Sequence, residues 1–189
     1  MGTLSGDIER NLVDLARKGD RAAMRQIYDC YSRYLSATCS RYLPDSDDLR
    51  DVLQDSFVKI FSSLGKFDYR GEGSLRVWMR QISVNEALKL IRKRKRSDTV
   101  EYKWDLPDKE QEEEPDVDNV PSAVIQKMIQ ALPEGYRTVL NLYAFEEKSH
   151  KEIAQLLGIT ESTSASQLHR ARAILARQIK DYKKRTEKS

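Results

Sequence analysis

Cysteine and histidine are scarce in this chain, which has two of each. Cys30 and Cys39 stand nine residues apart without a neighbouring histidine, a spacing that fits no zinc pattern, so both are expected to be reduced cysteines on helices. Neither His150 nor His169 has a serine or cysteine nucleophile at a catalytic spacing. A glycine-rich phosphate loop and the HExxH and GxSxG motifs are missing as well. The sequence therefore predicts a protein that is not an enzyme, with no catalytic residue, metal ligand or cofactor.

Long hydrophobic runs are also absent. No apolar stretch approaches the roughly 18 residues that a membrane-spanning helix needs, and the N-terminus lacks the apolar region of a signal peptide. We therefore predict a cytoplasmic protein without membrane insertion.

Runs of β-branched residues are few, whereas apolar residues recur at helical spacing between residues that end helices. This pattern predicts an all-α protein of two small helical domains, 1–96 and 122–189, joined by an acidic extended linker, 97–121. The helices predicted in the first domain are Leu4–Lys18, Arg21–Leu43 capped by Asp20, Asp47–Leu64, and Leu75–Arg96 capped by Ser74. Those predicted in the second are Ser122–Leu132 and Glu134–Phe145, followed by a helix-turn-helix.

Charge is balanced overall but strongly segregated along the chain. The 33 basic and 30 acidic residues leave a net charge of +3. Residues 76–96 hold eight basic residues against Glu86 alone, a net charge of +7, and we call this segment the basic strip. Residues 97–121 hold two basic and ten acidic residues, a net charge of −8. The two adjacent segments therefore predict two separate functions.

The stretch SHKEIAQLLGITESTSASQLHRAR, 149–172, has the residue order of a helix-turn-helix. Ser149 and Glu152 form a capping box at the start of an apolar-periodic helix. Gly158 can end that helix in the left-handed conformation, and Thr160 can cap a second helix. In DNA-binding proteins of this type the second helix enters the major groove.

The second helix of this motif has two distinct faces. Its apolar stripe is Leu168, Ala171, Leu175, Ile179 and Tyr182. Four polar residues at spacings of three or four fall on another face and are the candidate base readers: Thr163, Ser166, Gln167 and Arg170. A helical hairpin inside an all-α core is the alternative, but the capping box, glycine turn and arginine-bearing face together favour DNA binding.

Aromatic residues lie next to the basic strip. Phe67, Tyr69 and Trp78 stand in or beside the loop GKFDYRGEG. Single-stranded nucleic acid needs cations for its phosphates and flat surfaces for its unpaired bases. Trp78 lies on an apolar stripe and is expected in the core, whereas Phe67 and Tyr69 are candidates for base contact. A structural role for either ring, and a solvated helix end for Arg92–Arg96, are the alternatives.

With these features the chain resembles the bacterial sigma factors of the extracytoplasmic-function (ECF) class, along almost its whole length. AxxGDxxAMxxIYDxY, 16–31, resembles the opening helices of that class, and DLRDVLQDSFVKIF, 48–61, its signature for docking on RNA polymerase. SLRVWMRQISVNEALKLIRKRKR, 74–96, is similar to the helix that opens the minus-ten promoter element. LPEGYRTVLNLYAFEEKSHKEIAQLLGITESTSASQLHRARAIL, 132–175, is similar to the domain that reads the minus-thirty-five element.

The resemblance implies a sigma factor that binds core RNA polymerase, directs it to promoters and helps to melt the DNA. It implies polymerase binding by Asp48, Asp51, Gln54 and Asp55. It implies that the loop 66–73 and the helix after it hold the melted minus-ten strand, through Lys66, Phe67, Tyr69, Arg76, Arg80, Arg92 and Lys93. Duplex DNA at the minus-thirty-five element would then meet Thr163, Ser166, Gln167 and Arg170. An anti-sigma factor is a further partner that this class usually has.

The chain departs from the family pattern at four positions. Ser164 and Ala165 stand where family members often have valine and then a basic residue, and Gln167 where arginine or lysine is frequent. Lys89 replaces an acidic residue that is common in the minus-ten helix. The promoter consensus therefore does not follow from the resemblance.

Two other functions are compatible with parts of the sequence. A helix-turn-helix repressor or activator would bind duplex DNA as a dimer, but the acidic face of the third helix and the aromatic-plus-basic segment would then have no role. A protein adaptor that imitates a sigma factor domain would not need the base-reading face.

Overall fold

The structure, a computed structural model, describes residues 6–97 and 115–186, and all of their side chains except those of 95–97. Eight helices and one 3-10 turn make up the regular structure of these ranges. The first four helices are α1 Gly6–Arg17, α2 Arg21–Ser40, α3 Ser46–Ser63 and α4 Ser74–Ser97, with the 3-10 turn Leu64–Lys66 after α3. The other four are α5 Ser122–Gln130, α6 Glu134–Ala144, α7 His150–Leu157 and α8 Glu161–Thr186. The all-α prediction is confirmed.

Side-chain caps fix where the helices of the first half begin. The Asp20 carboxylate accepts a hydrogen bond from the Ala23 amide at 2.9 Å, as predicted for the start of α2. Asp45 caps α3 by accepting from the amides of Asp47 and Asp48. Ser74 is not a cap: it is the first residue of α4, and its hydroxyl bonds Gly71 and Arg70 in the preceding loop. The amides at the start of α4 are bound by another residue, Glu9.

The chain divides into two compact units, Met1–Arg94 and Lys95–Ser189. In the first, α1 to α4 enclose an apolar core whose fully buried members include Val13, Ile27, Leu35, Ile60, Leu75 and Met79. This burial, and not helix propensity alone, stabilises the helices of a unit of this size.

In the second unit, α5 to α8 pack around Ile129, Val139, Leu142, Ile153, Leu168, Ala171 and Leu175. Residues 98–114 of the predicted linker lie outside the described residues. The end of that predicted linker belongs to the second unit, because Val120 is buried and the Asp116 carboxylate accepts a hydrogen bond from Lys183 of α8 at 2.6 Å. None of the helices within 6–97 and 115–186 has the length and apolar character to cross a membrane.

Candidate nucleic-acid and polymerase interfaces

The helix-turn-helix is present with the predicted local chemistry. Ser149 and Glu152 form a reciprocal capping box at the start of α7: the Glu152 carboxylate accepts from the Ser149 amide at 2.9 Å, and the Ser149 hydroxyl accepts from the Glu152 amide at 3.3 Å. Gly158 ends α7 in the left-handed region with φ of 64°. The Thr160 hydroxyl accepts from the Thr163 amide at 3.0 Å and so caps α8. The predicted motif is therefore confirmed.

The capping box lowers the pKa of Glu152 to about 2, chiefly because its carboxylate accepts from the Ser149 amide and hydroxyl and from Lys148. Because the pKa is lower in the folded than in the unfolded protein, the Glu152 carboxylate contributes its full stabilisation of α7 at pH values above the ordinary glutamate pKa of 4.5. This stabilisation is lost as the pH falls through about 2. We expect an NMR titration of the carboxyl group to show a midpoint near 2. In Ser149→Ala, which removes the hydroxyl but keeps the amide, the midpoint should rise, and an unchanged midpoint would contradict the contribution assigned to the hydroxyl.

The four candidate base readers on α8 are not equally accessible. Ser166 and Arg170 are exposed, as predicted. Thr163 is half-buried, and its hydroxyl is hydrogen-bonded to that of Thr160 at 2.8 Å. Gln167 is also half-buried, because its side chain lies against Gly135 at the start of α6, where an added Cβ would be 3.3 Å from the amide nitrogen. Thr163 and Gln167 are therefore less accessible than Ser166 and Arg170, and their role as base readers stays a prediction.

The outer face of α8 contains residues that the sequence analysis did not include among the candidate base readers. Ser162, Ala165 and His169 are exposed beside Ser166. They lie opposite the buried side of the helix, which begins with Ser164 and Leu168. Measuring the helical angle of each residue from the centre of the apolar stripe would have identified these three as the residues opposite it. The same angles place Gln167 near the edge of the stripe.

The departure at Ser164 has a structural counterpart. This serine is fully buried, and its hydroxyl is hydrogen-bonded to Nδ1 of His150 at 2.9 Å. The His150 ring in turn stacks on the Tyr143 ring with centroids 5.1 Å apart, and the Arg172 guanidinium lies 5.5 Å from the centroid of the same Tyr143 ring. The first residue of α7 is thereby joined to the first turn of α8 by a polar contact where valine would offer only apolar surface.

The outward face of α3 provides the second surface. Asp51, Gln54 and Asp55 are exposed there, and Val58, which the sequence analysis missed, is 64% exposed on the same face. Asp48 differs from the prediction because its carboxylate forms an ion pair with Arg94 of α4 and is only 17% exposed. The α3 face, as we call this surface, is therefore Asp51, Gln54, Asp55 and Val58.

The loop between the 3-10 turn and α4 also differs from the prediction. Lys66 is exposed, but Phe67 is buried in the core, with its ring 5.0 Å from that of Trp78. The placement of Phe67 as an exposed loop aromatic was wrong, and in this conformation its ring is not open to a base. Tyr69 is half-buried and donates its hydroxyl to the Gly6 carbonyl at 2.7 Å.

The basic strip on α4 is partly neutralised from within the first unit. Glu86 is buried and accepts from Lys59 at 2.7 Å and from Lys89 at 3.4 Å, which lowers the pKa of Glu86 against the effect of burial. Arg76 is exposed with its guanidinium 4.0 Å from the Tyr34 ring centroid. The other predicted DNA contacts on this helix are the exposed Arg92 and Lys93 and the half-buried Arg80. Across the described ranges, no group of three metal-ligating side chains could hold an ion.

Comparison with known proteins places both units. Residues 27–97 match the family described as Sigma-70 region 2, and residues 122–175 match Sigma-70, region 4. The ECF RNA polymerase sigma factor SigW of Bacillus subtilis is 29% identical over 180 residues, covering 89% of this chain and 95% of SigW. RNA polymerase sigma-H factor of Pseudomonas aeruginosa is 28% identical, covering 89% of this chain and 92% of that protein.

A solved structure of CnrH in complex with the cytosolic domain of CnrY is similar with a TM-score of 0.49 and 23% identity, covering 92% of this chain and 98% of that one. The two region matches stand in the same order as the two helical units, and the sequence relatives extend over nearly the whole chain. The chain therefore belongs to the sigma-70 family of RNA polymerase sigma factors, in its ECF class.

Proposed function

We propose that this protein binds core RNA polymerase, directs it to specific promoters and helps to melt the DNA, as a transcription initiation factor without catalytic residues of its own. The observation that carries the proposal is the combination of a confirmed helix-turn-helix in a unit matching region 4 with a basic helix in a unit matching region 2. A protein that read only duplex DNA would not need the second element. RNA polymerase acts in the bacterial cytoplasm, so the proposal places the protein there.

The energetics explain why such a protein acts as a subunit. Stacking of a captured base contributes about 1–3 kcal/mol, while each opened step of duplex costs about 1.4 kcal/mol. With Phe67 in the core, Tyr69 is the remaining loop aromatic among the predicted base contacts, and it is half-buried. One or two captured bases nucleate a bubble but do not hold a long one, so polymerase must supply the rest.

Reconstitution tests the proposal against its rivals. Purified protein, core polymerase and a library of promoter fragments are combined, and bound fragments are recovered and sequenced. A sigma factor retains specific fragments only when core polymerase is present, a repressor retains them alone, and an adaptor retains none. Binding of specific DNA without polymerase, or no retention with it, would contradict the proposed function. An anti-sigma partner is part of the proposal and would block this retention by binding the free protein.

Arg170 is the exposed cation among the predicted base readers and donates to the Tyr136 hydroxyl at 3.2 Å. We expect Arg170→Ala to weaken promoter retention by about tenfold or more if the guanidinium pairs with a base edge, since such contacts contribute about 1–3 kcal/mol. Loss of only a phosphate contact would instead weaken the binding of all fragments alike. It would also reduce by about one the slope of log affinity against log salt concentration.

Arg177→Ala is the matched control for this variant. Arg177 is exposed on the same helix, two turns beyond Arg170 and outside the region 4 match. An effect confined to Arg170 identifies the beginning of α8 as the reading end. Unchanged affinity and unchanged sequence preference in Arg170→Ala would show that another part of the surface meets the DNA.

A further inference from the structure

We propose that α1 is a splint that fixes the shape of the loop 66–73 from both of its ends, through Glu9 and Arg17, and that promoter opening depends on this support. The inference rests on the proposed function and adds a role for a helix that lies outside the residues matched to region 2, 27–97. Glu9 and Arg17 are positioning residues in this account, because each holds the backbone of the loop's flanking turns and neither needs to touch DNA.

Glu9 holds the end of the loop that leads into α4. Its side chain is 1% exposed, and its two carboxylate oxygens accept from the Gly73 amide at 2.8 Å and the Leu75 amide at 3.1 Å. The first amides of a helix have no partner within the helix and carry its positive dipole end, so a buried carboxylate is favourable there. Tyr31 completes the site: burial, and then the Glu9 charge and hydrogen bond, raise the pKa of its hydroxyl.

Arg17 holds the opposite end, where the 3-10 turn enters the loop. Its guanidinium donates to the Leu64 carbonyl at 3.1 Å and also to the Phe67 carbonyl. The Leu64 carbonyl also accepts from the Phe67 amide, which closes the 3-10 turn, so Arg17 adds a charged donor at the negative end of that turn. Eight residues separate Glu9 from Arg17, a rise of about 12 Å along α1, so one rigid helix reaches both ends.

Within the loop, Ser74 bonds Gly71 and Arg70, and Arg70 pairs with the exposed Asp68, so these local contacts do not tie the loop to the rest of the unit. Gly71 and Gly73 have φ of 111° and 81°, in the region that glycine adopts most readily and that leaves the backbone permissive. A third contact comes from α1 as well, because the Gly6 carbonyl accepts the Tyr69 hydroxyl. Opposite charges at the two ends thus match the two polarities of the flanking backbone.

Support of the loop by α1 should affect the opening of promoter DNA and not the binding of the protein to core polymerase. The loop carries the exposed cations Lys66 and Arg70 and leads into the basic strip, which is where a separated strand would lie. The α3 face is on a different helix from both positioning residues. A loop that loses its shape would therefore slow base capture while leaving polymerase binding in place.

The test compares Glu9→Gln with Asp20→Asn in the full-length protein bound to core polymerase. Asp20 is a matched control, because its carboxylate also accepts from a backbone amide at the start of a helix of the first unit, but that helix is α2. Opening is followed by permanganate reactivity of thymines in the minus-ten element, on a duplex promoter and on the same promoter with a pre-melted mismatch. We expect Glu9→Gln to slow opening of the duplex about tenfold or more, because bonds to a charged group are lost.

The mismatched promoter separates positioning from general damage. There we expect Glu9→Gln to come within about twofold of the unaltered protein, since the opening cost is already met, and Asp20→Asn to open both templates normally. Equal slowing on both templates, or no slowing on the duplex, would overturn the splint. If the unaltered protein fails to open the duplex promoter, the proposed function itself is overturned.

Arg17→Gln provides a second, independent variant at the other end of the loop, with Arg25→Gln on α2 as its control. Arg25 is an exposed arginine whose ion pair with Asp29 lies within one helix. If circular dichroism shows that Glu9→Gln unfolds at the assay temperature, the comparison of the two arginine variants decides the question. Selective slowing of duplex opening by Arg17→Gln supports the splint, and indistinguishable behaviour of the two arginine variants overturns it.

Discussion

The double variant Asp51→Arg with Gln54→Ala is expected to lose co-purification with core RNA polymerase while its helical circular dichroism stays unchanged. Both residues are exposed on the α3 face, next to Asp55. Reversing one charge at the centre of a complementary surface places like charges together, which weakens association by about a hundredfold or more. Because the altered side chains are exposed, the fold of the first unit should tolerate the change.

The chain offers a matched control for this variant. Gln26 and Asp29 are also an exposed glutamine and aspartate three residues apart, but they lie on α2. Gln26→Ala with Asp29→Arg should therefore co-purify with polymerase as the unaltered protein does. Retained binding by the α3 variant, or equal loss in both variants, would contradict the assignment of the α3 face.

The second large effect is expected from Arg137→Met, on the stability of the second unit. Arg137 is 7% exposed, and its guanidinium donates to the carbonyls of Gln130 at 3.0 Å and Leu132 at 2.7 Å, which end α5 and begin the turn to α6. Methionine has a similar length but leaves these carbonyls without their charged donor. Hydrogen bonds to a charged group contribute about 1.5–3 kcal/mol each, so we expect a loss of about 3 kcal/mol in the free energy of unfolding.

Hydrogen exchange measures this loss within the full chain. Amides of α6 that exchange through unfolding of the second unit should exchange about a hundredfold faster in Arg137→Met, while those of α2 should not change. Arg177→Met is the control, because that arginine is exposed on α8. Exchange of α6 within about twofold of the unaltered protein would show that Arg137 does not support the junction of α5 and α6.

Local sequence signals predicted the features that depend on residues close together in the chain. Asp20, Ser149, Glu152, Gly158 and Thr160 all act on atoms within about one helical turn, so residue type and spacing were enough to place them. Together with the periodicity of apolar residues, these signals predicted the helices and the helix-turn-helix.

Contacts between distant residues account for what the sequence analysis did not predict. Glu9 looks like an ordinary acidic residue early in a helix, but its partners Gly73 and Leu75 are more than sixty residues away. Asp48 was expected at the surface, and its partner Arg94 lies on α4. The spacing of residues within one helix cannot predict either contact, because the partner lies on a different part of the chain.

The surroundings of Phe67 and Gln167 were not predicted, for two different reasons. Phe67 follows a 3-10 turn, where helical periodicity gives no direction, so its approach to Trp78 could not be inferred from spacing. Gln167 lies at the edge of the buried stripe of α8, and its side chain packs against Gly135 of α6, a contact that residue spacing within α8 does not reveal.

Holding the loop 66–73 at both ends has a consequence for the entropy of base capture. Ordering a free backbone costs about 1–2 kcal/mol per residue at room temperature. If a flexible loop of this length became ordered only on binding the DNA strand, this cost would offset much of the free energy gained by stacking one or two bases. Here the hydrogen bonds of Glu9, Arg17 and Tyr69 restrict the loop in the folded protein before any DNA is present. The ordering cost is thus met once, on folding, and does not recur at each promoter.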